Sequence, residues 1–272
     1  MTPQAAMLDT RAVSEMDRRE AFCRQVVRSA GVLALEGYLN RTAGSFEMKG
    51  PQDYLTETDA AVEAHLRARV AEAFPSDGFI GEEGGGQARA DNWVVDPIDG
   101  TANFARGIPH FCISIAFISG NQIELGAIYN PPLDELYFAR RGMGASRNGE
   151  PISVAATTKF EQASVELGWS NRRSNETYVG ALAAMLERGA NVRRGASGAL
   201  GLAYVADGRS DAYAEHHMNA WDCLAGLLLV REAGGVVAPF LEHGGLVEGA
   251  AVLATAPGVA RGVSEATGIA LD

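Results

Sequence analysis

Trp93-Val94-Val95-Asp96-Pro97-Ile98-Asp99-Gly100-Thr101 is the stretch on which the reading of this chain turns. Its first residues form an apolar run that fits the end of a buried strand. That strand delivers two carboxylates, three residues apart, into a tight turn made by Pro97 and Gly100. Pro97 withholds an amide hydrogen and pushes Asp96 towards extended geometry. Gly100 permits backbone angles barred to residues with side chains, so the Ile98 carbonyl can face inward beside the two acids. Hard oxygen donors of this kind suit Mg²⁺ or Ca²⁺. The same residues also describe an ordinary Asx-rich turn after a strand, and this stretch alone leaves both readings open.

The chain has 272 residues, 47% of them hydrophobic, enough to bury a full core as one large domain or as two lobes. Its longest apolar runs, Cys112 to Ile118 and Cys223 to Val230, fall far short of a membrane span. The first fifteen residues mix Asp9 and Arg11 without a continuous apolar stretch, so the expectation is a cytoplasmic protein with no export or anchoring signal. Cys23, Cys112 and Cys223 are odd in number, far apart and at no zinc spacing, which suits reduced, buried thiols. A net charge of −11 argues against nucleic acid or an anionic membrane as partner. An anionic substrate would need the local sign reversed, and divalent cations at the acid-rich turn would do that.

Along the chain, residues 14 to 39 carry Phe22, Val26, Ala30, Leu33 and Ala34 at helical spacing. A second helix is expected from near Thr58, with Val62, Leu66 and Val70 on one face and a stop at Phe74-Pro75. Asp59 then serves either as a helix-dipole partner in the first turn or as a ligand projecting from the helix start. Phe79 to Gly84 reads as a short strand ending in Glu82 and Glu83. His110 to Ile118, Gln122 to Ile128 and Glu135 to Ala139 read as antiparallel strands of one sheet, and Asn148-Gly149 as a hairpin turn. The second half alternates: strands Ser164 to Trp169, Asn191 to Arg194 and Asp211 to Glu215, helices Ser174 to Arg188 and about Ser197 to Asp207. Asn219-Ala220-Trp221-Asp222 opens a helix apolar nearly all round that ends at Gly234-Gly235, and Asn219 with Asp222 also fits a helix cap.

Asp59, Glu82, Asp96, Asp99 and Asp222 all fall at element ends, where a scaffold can present them to one cleft. With Thr56-Glu57-Thr58-Asp59, Gly81-Glu82-Glu83, the stretch from Trp93 to Phe104, Tyr129 to Leu136, and Trp221-Asp222 through Gly235, the sequence resembles the inositol monophosphatase family over roughly residues 49 to 240. These are Mg²⁺-dependent, lithium-sensitive phosphomonoesterases. The resemblance implies a single α+β domain spanning 1–272, an αβαβα layered sandwich. Its lobes would cover about 14–155 and 156–272, with the active site between them, and it would usually be a homodimer. It also implies two or three Mg²⁺ ions: Glu82, Asp96, the Ile98 carbonyl and Thr101 around the first ion and its water, Asp96, Asp99 and Asp222 around the second, and Asp59 at a weaker third. Glu82 and Thr101 would take the proton of the attacking water, with Asp99 completing the catalytic set. Gly100 and Thr101 amides would hold the phosphate, and Ser197, Gly198, Glu215 and Asp222 the leaving group.

Two places depart from the family pattern. Ala102 stands where many relatives have a second Thr, which leaves Thr101 in place. The order around Arg194-Gly195-Ala196-Ser197-Gly198-Ala199 is altered, which bears on substrate identity. The expected partner is a small phosphorylated metabolite, inositol 1-phosphate or a related polyol or sugar phosphate. The alternatives are a histidinol-phosphatase, a fructose-bisphosphatase or 3′(2′),5′-bisphosphate nucleotidase, or a catalytically silent regulatory subunit. A second phosphate would draw on Arg172, Arg173, Arg193 or Arg194. His216 and His217 are expected at the surface or the rim of the cleft.

Overall fold

In the computed structural model, which describes residues 14–42, 44, 46–50 and 53–271, the central stretch closes a nine-residue strand, Asp91–Asp99, buried from Asn92 onward. Asp9, Arg11 and Pro51 lie outside the described residues. In chain order the first half runs α1 (Glu15–Asn40), β1 (Glu47–Gly50), β2 (Asp53–Leu55), α2 (Glu57–Ala73), β3 (Gly78–Gly81), β4 (Asp91–Asp99), α3 (Thr101–Arg106), β5 (Cys112–Ser119), β6 (Gln122–Asn130), β7 (Glu135–Arg140), β8 (Ala145–Arg147) and β9 (Glu150–Pro151). The second half runs β10 (Ser164–Leu167), α4 (Asn175–Glu187), β11 (Asn191–Arg193), α5 (Gly198–Ala206), β12 (Ala212–Met218), α6 (Ala220–Glu232), β13 (Val236–Val237), α7 (Gly245–Glu248), β14 (Ala250–Thr255) and α8 (Ala260–Thr267).

Strands β3 to β9 form a seven-stranded sheet in sequence order. Its β5 to β7 meander is antiparallel as expected, β4 adds to it antiparallel, and β3 joins β4 in parallel. The apolar runs are continuous because both faces are covered. Trp93, Val95, Ile113, Ile115 and Phe117 pack towards α1 and α2, and Val94, Cys112, Ala116 and Ile118 pack the other way, towards α5 and α6. The second sheet has the order β11-β10-β12-β14-β13, and its outer face packs on α4 and α8. Five layers result, helices–sheet–helices–sheet–helices, with α5 and α6 in the middle and buried on all sides.

The last part of the second sheet was not visible in the sequence pattern. Ala250–Thr255 inserts between β12 and β13 and runs antiparallel to both. Its composition carries no turn or alternation signal to announce so distant a partner. Helix boundaries fall within a residue or two of expectation, with Ser14, Thr56 and Ser174 as N-caps whose hydroxyls accept a first-turn amide. No helix among the described residues is long and apolar enough to cross a membrane.

Candidate active site

The starts of α2, α3, α5 and α6 converge on the end of β4, so four sets of helix-terminal amides surround a group of acids. A bulge between Asp96 and Asp99 breaks the β4–β5 register. Within it, the Ile98 amide donates to Asp96 Oδ1 at 2.9 Å, fixing that carboxylate over the turn. Gly100 takes φ +96° and opens α3. A Cβ there would stand 3.0 Å from the His110 carbonyl oxygen, so this turn requires glycine on two counts.

Thr101, next in line, places its hydroxyl 2.8 Å from the Ile98 carbonyl and 3.2 Å from Asp59 Oδ1. Asp59 is fully buried and accepts the Thr56 amide at 2.9 Å as well as the Thr56 hydroxyl, the capping box of α2. Helix cap and site neighbour are therefore one residue: Asp59 caps α2 and its other oxygen faces the Thr101 hydroxyl. Asp222 repeats this arrangement: it accepts the Asn219 amide at 3.1 Å at the head of α6, and one of its oxygens joins one each from Asp96 and Asp99 within 4.8 Å of one another.

Asp99 is held by the segment leading into α5. The Ser197 hydroxyl donates to its Oδ2 at 2.5 Å, the Ala199 amide to the same oxygen at 2.8 Å and the Gly198 amide to Oδ1 at 3.2 Å. Ser197 and Gly198, expected against the leaving group, thus spend these donors on Asp99. Glu82 follows β3, and its amide bonds to the Val95 carbonyl at 3.2 Å beside the end of β4. The turn that carries it is tied down by Glu63 of α2, a residue the sequence did not single out. Buried Glu63 accepts the amides of Glu83 at 2.8 Å and Gly84 at 2.9 Å. A Cβ at Gly81 or Gly84 would lie 2.3 or 2.6 Å from that carboxylate, which explains the glycines flanking the acidic pair.

Gathering acids away from water raises the cost of ionising them. Burial pushes the Asp59 carboxyl up to about 6, and burial with Asp99 beside it pushes Asp222 up to about 7. Asp96 is driven well above the usual carboxylate range by burial and by Glu82, Asp99 and Asp222 around it. Asp99 is raised by burial, against which the Ser197 hydroxyl and the Ala199 and Gly198 amides pull its carboxyl down. Oxygen donors converging in this charge-frustrated way fit a hard divalent cation, whose charge removes the frustration.

The acids open onto a cavity of about 430 Å³ between the two sheets. Glu82, Asp99, Gly100, Thr101 and Asp222 line its floor; Trp169, Arg194, Tyr213 and Glu215 line the far wall. Glu215 accepts the Tyr213 hydroxyl at 2.6 Å, and burial pushes its carboxyl up to about 8. Of the four arginines that a second phosphate would draw on, Arg194 reaches the cavity, while Arg173 donates to the His216 carbonyl at 3.3 Å. Arg106 also lines it, bonded to Tyr54 at 2.5 Å. His216 and His217 are half-buried, each with Nε2 against a backbone carbonyl, of Thr267 at 2.9 Å and Glu248 at 3.0 Å. The free thiol of Cys112 points at Asp99 Oδ2 from 3.6 Å, where burial and the carboxylate push it up. Asn103 ties the sheets together by donating to the carbonyls of His110 at 2.8 Å and Gly195 at 2.9 Å.

Residues 15–267 match the inositol monophosphatase family. The chain is 42% identical over 193 residues to an inositol-1-monophosphatase of Rhizobium meliloti, covering 69% of this chain and 73% of that one. It is 36% identical over 240 residues to the Nus factor SuhB of Pseudomonas aeruginosa, covering 83% and 89%. Among solved structures, the extragenic suppressor protein suhB of Bartonella henselae superimposes with a TM-score of 0.83 at 33% identity, covering 92% of this chain and 98% of that one.

Proposed function

This chain belongs to the inositol monophosphatase family, an enzyme family of phosphoric monoester hydrolases, and from that premise we propose that it hydrolyses a small phosphate monoester in the presence of Mg²⁺. Inositol 1-phosphate or a related polyol or sugar phosphate is the substrate favoured. The observation that carries the reading is the meeting of Asp96, Asp99 and Asp222 oxygens within 4.8 Å beside the amide-rich turn at Gly100 and Thr101. Glu82, Asp96 and the Ile98 carbonyl would hold one cation, Asp96, Asp99 and Asp222 a second, and Asp59 a weaker third. Such cations offset the charge of a phosphate dianion, acidify water in the site and stabilise a departing alkoxide.

The chain's own groups supply the rest. The amides of Gly100 and Thr101, at the turn where α3 begins, are available to phosphate oxygens. Thr101 and Glu82 are the acceptors for the proton of the attacking water, and the Thr101 hydroxyl, bonded to Asp59, has a carboxylate behind it to receive that proton. Glu215, across the cavity, accepts a hydroxyl of the leaving group, as it now accepts that of Tyr213. A homodimer and a cytoplasmic setting complete the reading.

Relatives that bear the name Nus factor SuhB stand beside the inositol-1-monophosphatases, and the second reading is a catalytically silent regulatory subunit. Retention of the acidic set and of Thr101 supports the enzyme. Phosphate release should be measured with Mg²⁺ and with chelator over inositol 1-phosphate, histidinol phosphate, fructose bisphosphate and phosphoadenosine phosphate. Mg²⁺-dependent release that is greatest for the polyol phosphate is expected. Release undiminished by chelator would sink the metal mechanism, and no release from any ester would favour the second reading.

A further inference from the structure

Strands β11, β10 and β12 are neighbours in the second sheet and run parallel. The pairs Glu166–Arg193 and Leu167–Ala214, carried one residue further, set Arg194 beside Leu167 and Gly168 beside Glu215, so Arg194, Trp169 and Glu215 reach the cavity from adjoining strands. The carboxyl ends of parallel strands are where open α/β sheets take ligands. Gly168 lets this wall close up, since a Cβ there would collide with Glu215 Oε2 and lie 2.5 Å from the Tyr213 hydroxyl that donates to it. Trp169 is fixed through its Nε1, which donates to Asn175 Oδ1 at 2.9 Å. The Arg194 guanidinium stands over the Trp169 ring, 5.9 Å from its centroid, and makes no hydrogen bond or ion pair among the described residues. Its five donors are unspent, whereas Arg106, also at the cavity, gives one to the Tyr54 hydroxyl. Behind Arg194, Glu166 of β10 accepts the Gly195 amide at 2.8 Å and pins the chain where it leaves β11.

We propose that Arg194, seated on Trp169, is a specificity-determining residue of the leaving-group wall: it donates to a hydroxyl oxygen of a neutral polyol beside the hydroxyl that Glu215 accepts, and it repels a leaving group that carries an ammonium. The proposal rests on the phosphatase reading above. A hydroxyl both donates and accepts, so a guanidinium next to a carboxylate matches a pair of neighbouring hydroxyls, one group to each. The acids on the floor of the cavity would be occupied by cations in that reading, which leaves the far wall to choose between leaving groups. There the charge of Glu215 would welcome an amino alcohol, and Arg194 opposes it. The two lie within each other's field, since Arg194 pulls the Glu215 carboxyl down against the upward push of burial. Trp169 is a positioning residue, holding the guanidinium over its ring.

The test compares kcat/KM of the full chain and its variants on four esters: inositol 1-phosphate, histidinol phosphate, fructose bisphosphate and p-nitrophenyl phosphate. Arg194 is exposed, so Arg194→Met should fold as the wild type does. It should lose about tenfold on inositol 1-phosphate, gain about threefold on histidinol phosphate at low salt, and stay within about twofold on p-nitrophenyl phosphate, which offers no hydroxyl to the wall. Arg194→Lys keeps the charge without the planar fork, so it should lose on inositol 1-phosphate and gain nothing on histidinol phosphate. Trp169→Leu should lose about threefold on inositol 1-phosphate and add nothing to Arg194→Met; a further threefold loss in the double variant overturns the seating of Arg194 on Trp169. Equal losses on inositol 1-phosphate and p-nitrophenyl phosphate, or no gain on histidinol phosphate, overturn the specificity role. A loss larger on fructose bisphosphate than on inositol 1-phosphate makes Arg194 an anion contact and overturns the polyol assignment. Should the wild type release no phosphate from any ester, the proposed function fails, and calorimetry with inositol 1-phosphate and Mg²⁺ decides the subsite: a Kd raised about tenfold by Arg194→Met supports it, and an unchanged Kd or no binding to the wild type overturns it.

Discussion

Replacing Asp99 by Asn separates its part as anchor of the segment entering α5 from the part of cation ligand proposed for it. The carboxylate receives three hydrogen bonds, from the Ser197 hydroxyl at 2.5 Å and the amides of Ala199 at 2.8 Å and Gly198 at 3.2 Å. Asparagine keeps one acceptor oxygen, so an N–H then faces an NH₂ group, and the loss is one hydrogen bond to a charged group, about 1.5–3 kcal/mol. In opposition, the substitution removes a negative charge that raises the carboxyls of Asp96 and Asp222. Terms of opposite sign and similar size should leave the metal-free melting temperature within roughly 5 °C of wild type, at about 2–4 °C per kcal/mol for a chain of this size. Mg²⁺ then divides the two proteins. At a hundredfold excess over its Kd a bound ion stabilises the wild type by about 2.7 kcal/mol, and Asp99→Asn should gain little of this. Its phosphate release should fall at least roughly a hundredfold, a loss of about 2.7 kcal/mol of transition-state stabilisation. The assay is a thermal melt of both proteins with chelator and with Mg²⁺, beside initial rates. A variant that gains as much from Mg²⁺ as the wild type and still turns over refutes the ligand role. A metal-free melt more than about 10 °C lower shows that the anchor outweighs the charge.

Other outcomes follow from the same structure. Asp59, Asp222 and Glu215 have folded pKa values of about 6, 7 and 8, all raised, so the folded state binds more protons than the unfolded one between about pH 4 and 8. Metal-free stability should therefore fall as pH rises through that window, and saturating Mg²⁺ should flatten or reverse the slope; a metal-free melting curve that rises towards pH 8 would contradict this. Glu215→Gln, assayed above about pH 8 where the Glu215 carboxyl is ionised, should lower kcat/KM for a polyol phosphate roughly tenfold, from loss of a charged hydrogen bond, and leave p-nitrophenyl phosphate nearly unchanged; equal losses on both would place Glu215 with the cations or the fold. In Glu63→Gln one of the Glu83 and Gly84 amides loses its acceptor, so the Glu82 turn loosens. Mg²⁺ titrations of rate should show half-activation moved upward severalfold, and an unmoved midpoint would mean that Glu82 is positioned by something else. Gly126→Ala would set a Cβ 2.7 Å from the Ala225 carbonyl oxygen on α6, a backbone clash costing about 1–3 kcal/mol, which denaturant unfolding would register.

Most elements between α2 and α6, and the acids at their ends, were legible in the sequence because both are local. Two-faced apolar strands, the Asn219–Asp222 cap and the Asp96-Pro97-Ile98-Asp99-Gly100 turn each declare themselves within a few residues. What stayed hidden depends on distant pairing. Glu63 lies beside Val62 on a helix face that looks merely charged, and only the glycines at 81 and 84 hint that something must approach that turn. Glu166 interrupts an otherwise apolar strand, a polar residue in a core position, which was the available sign of its bond to Gly195. The grip of Ser197 and Gly198 on Asp99 spans about a hundred residues, and no spacing rule reaches that far.

Helix α6, buried on every side from Cys223 to Val230 and sandwiched between the two sheets, makes the birth of the site and the folding of the protein one event. Asp222 sits at its head and cannot swing out while the helix stays seated, and the helix cannot unseat without exposing both sheets. Its amides should therefore exchange with deuterated solvent only through global opening, as slowly as any in the molecule. Local melting elsewhere in the chain should therefore leave Asp222 in place. The Glu82 turn, on the other side, is held differently, by a single side chain from α2 that accepts two amides.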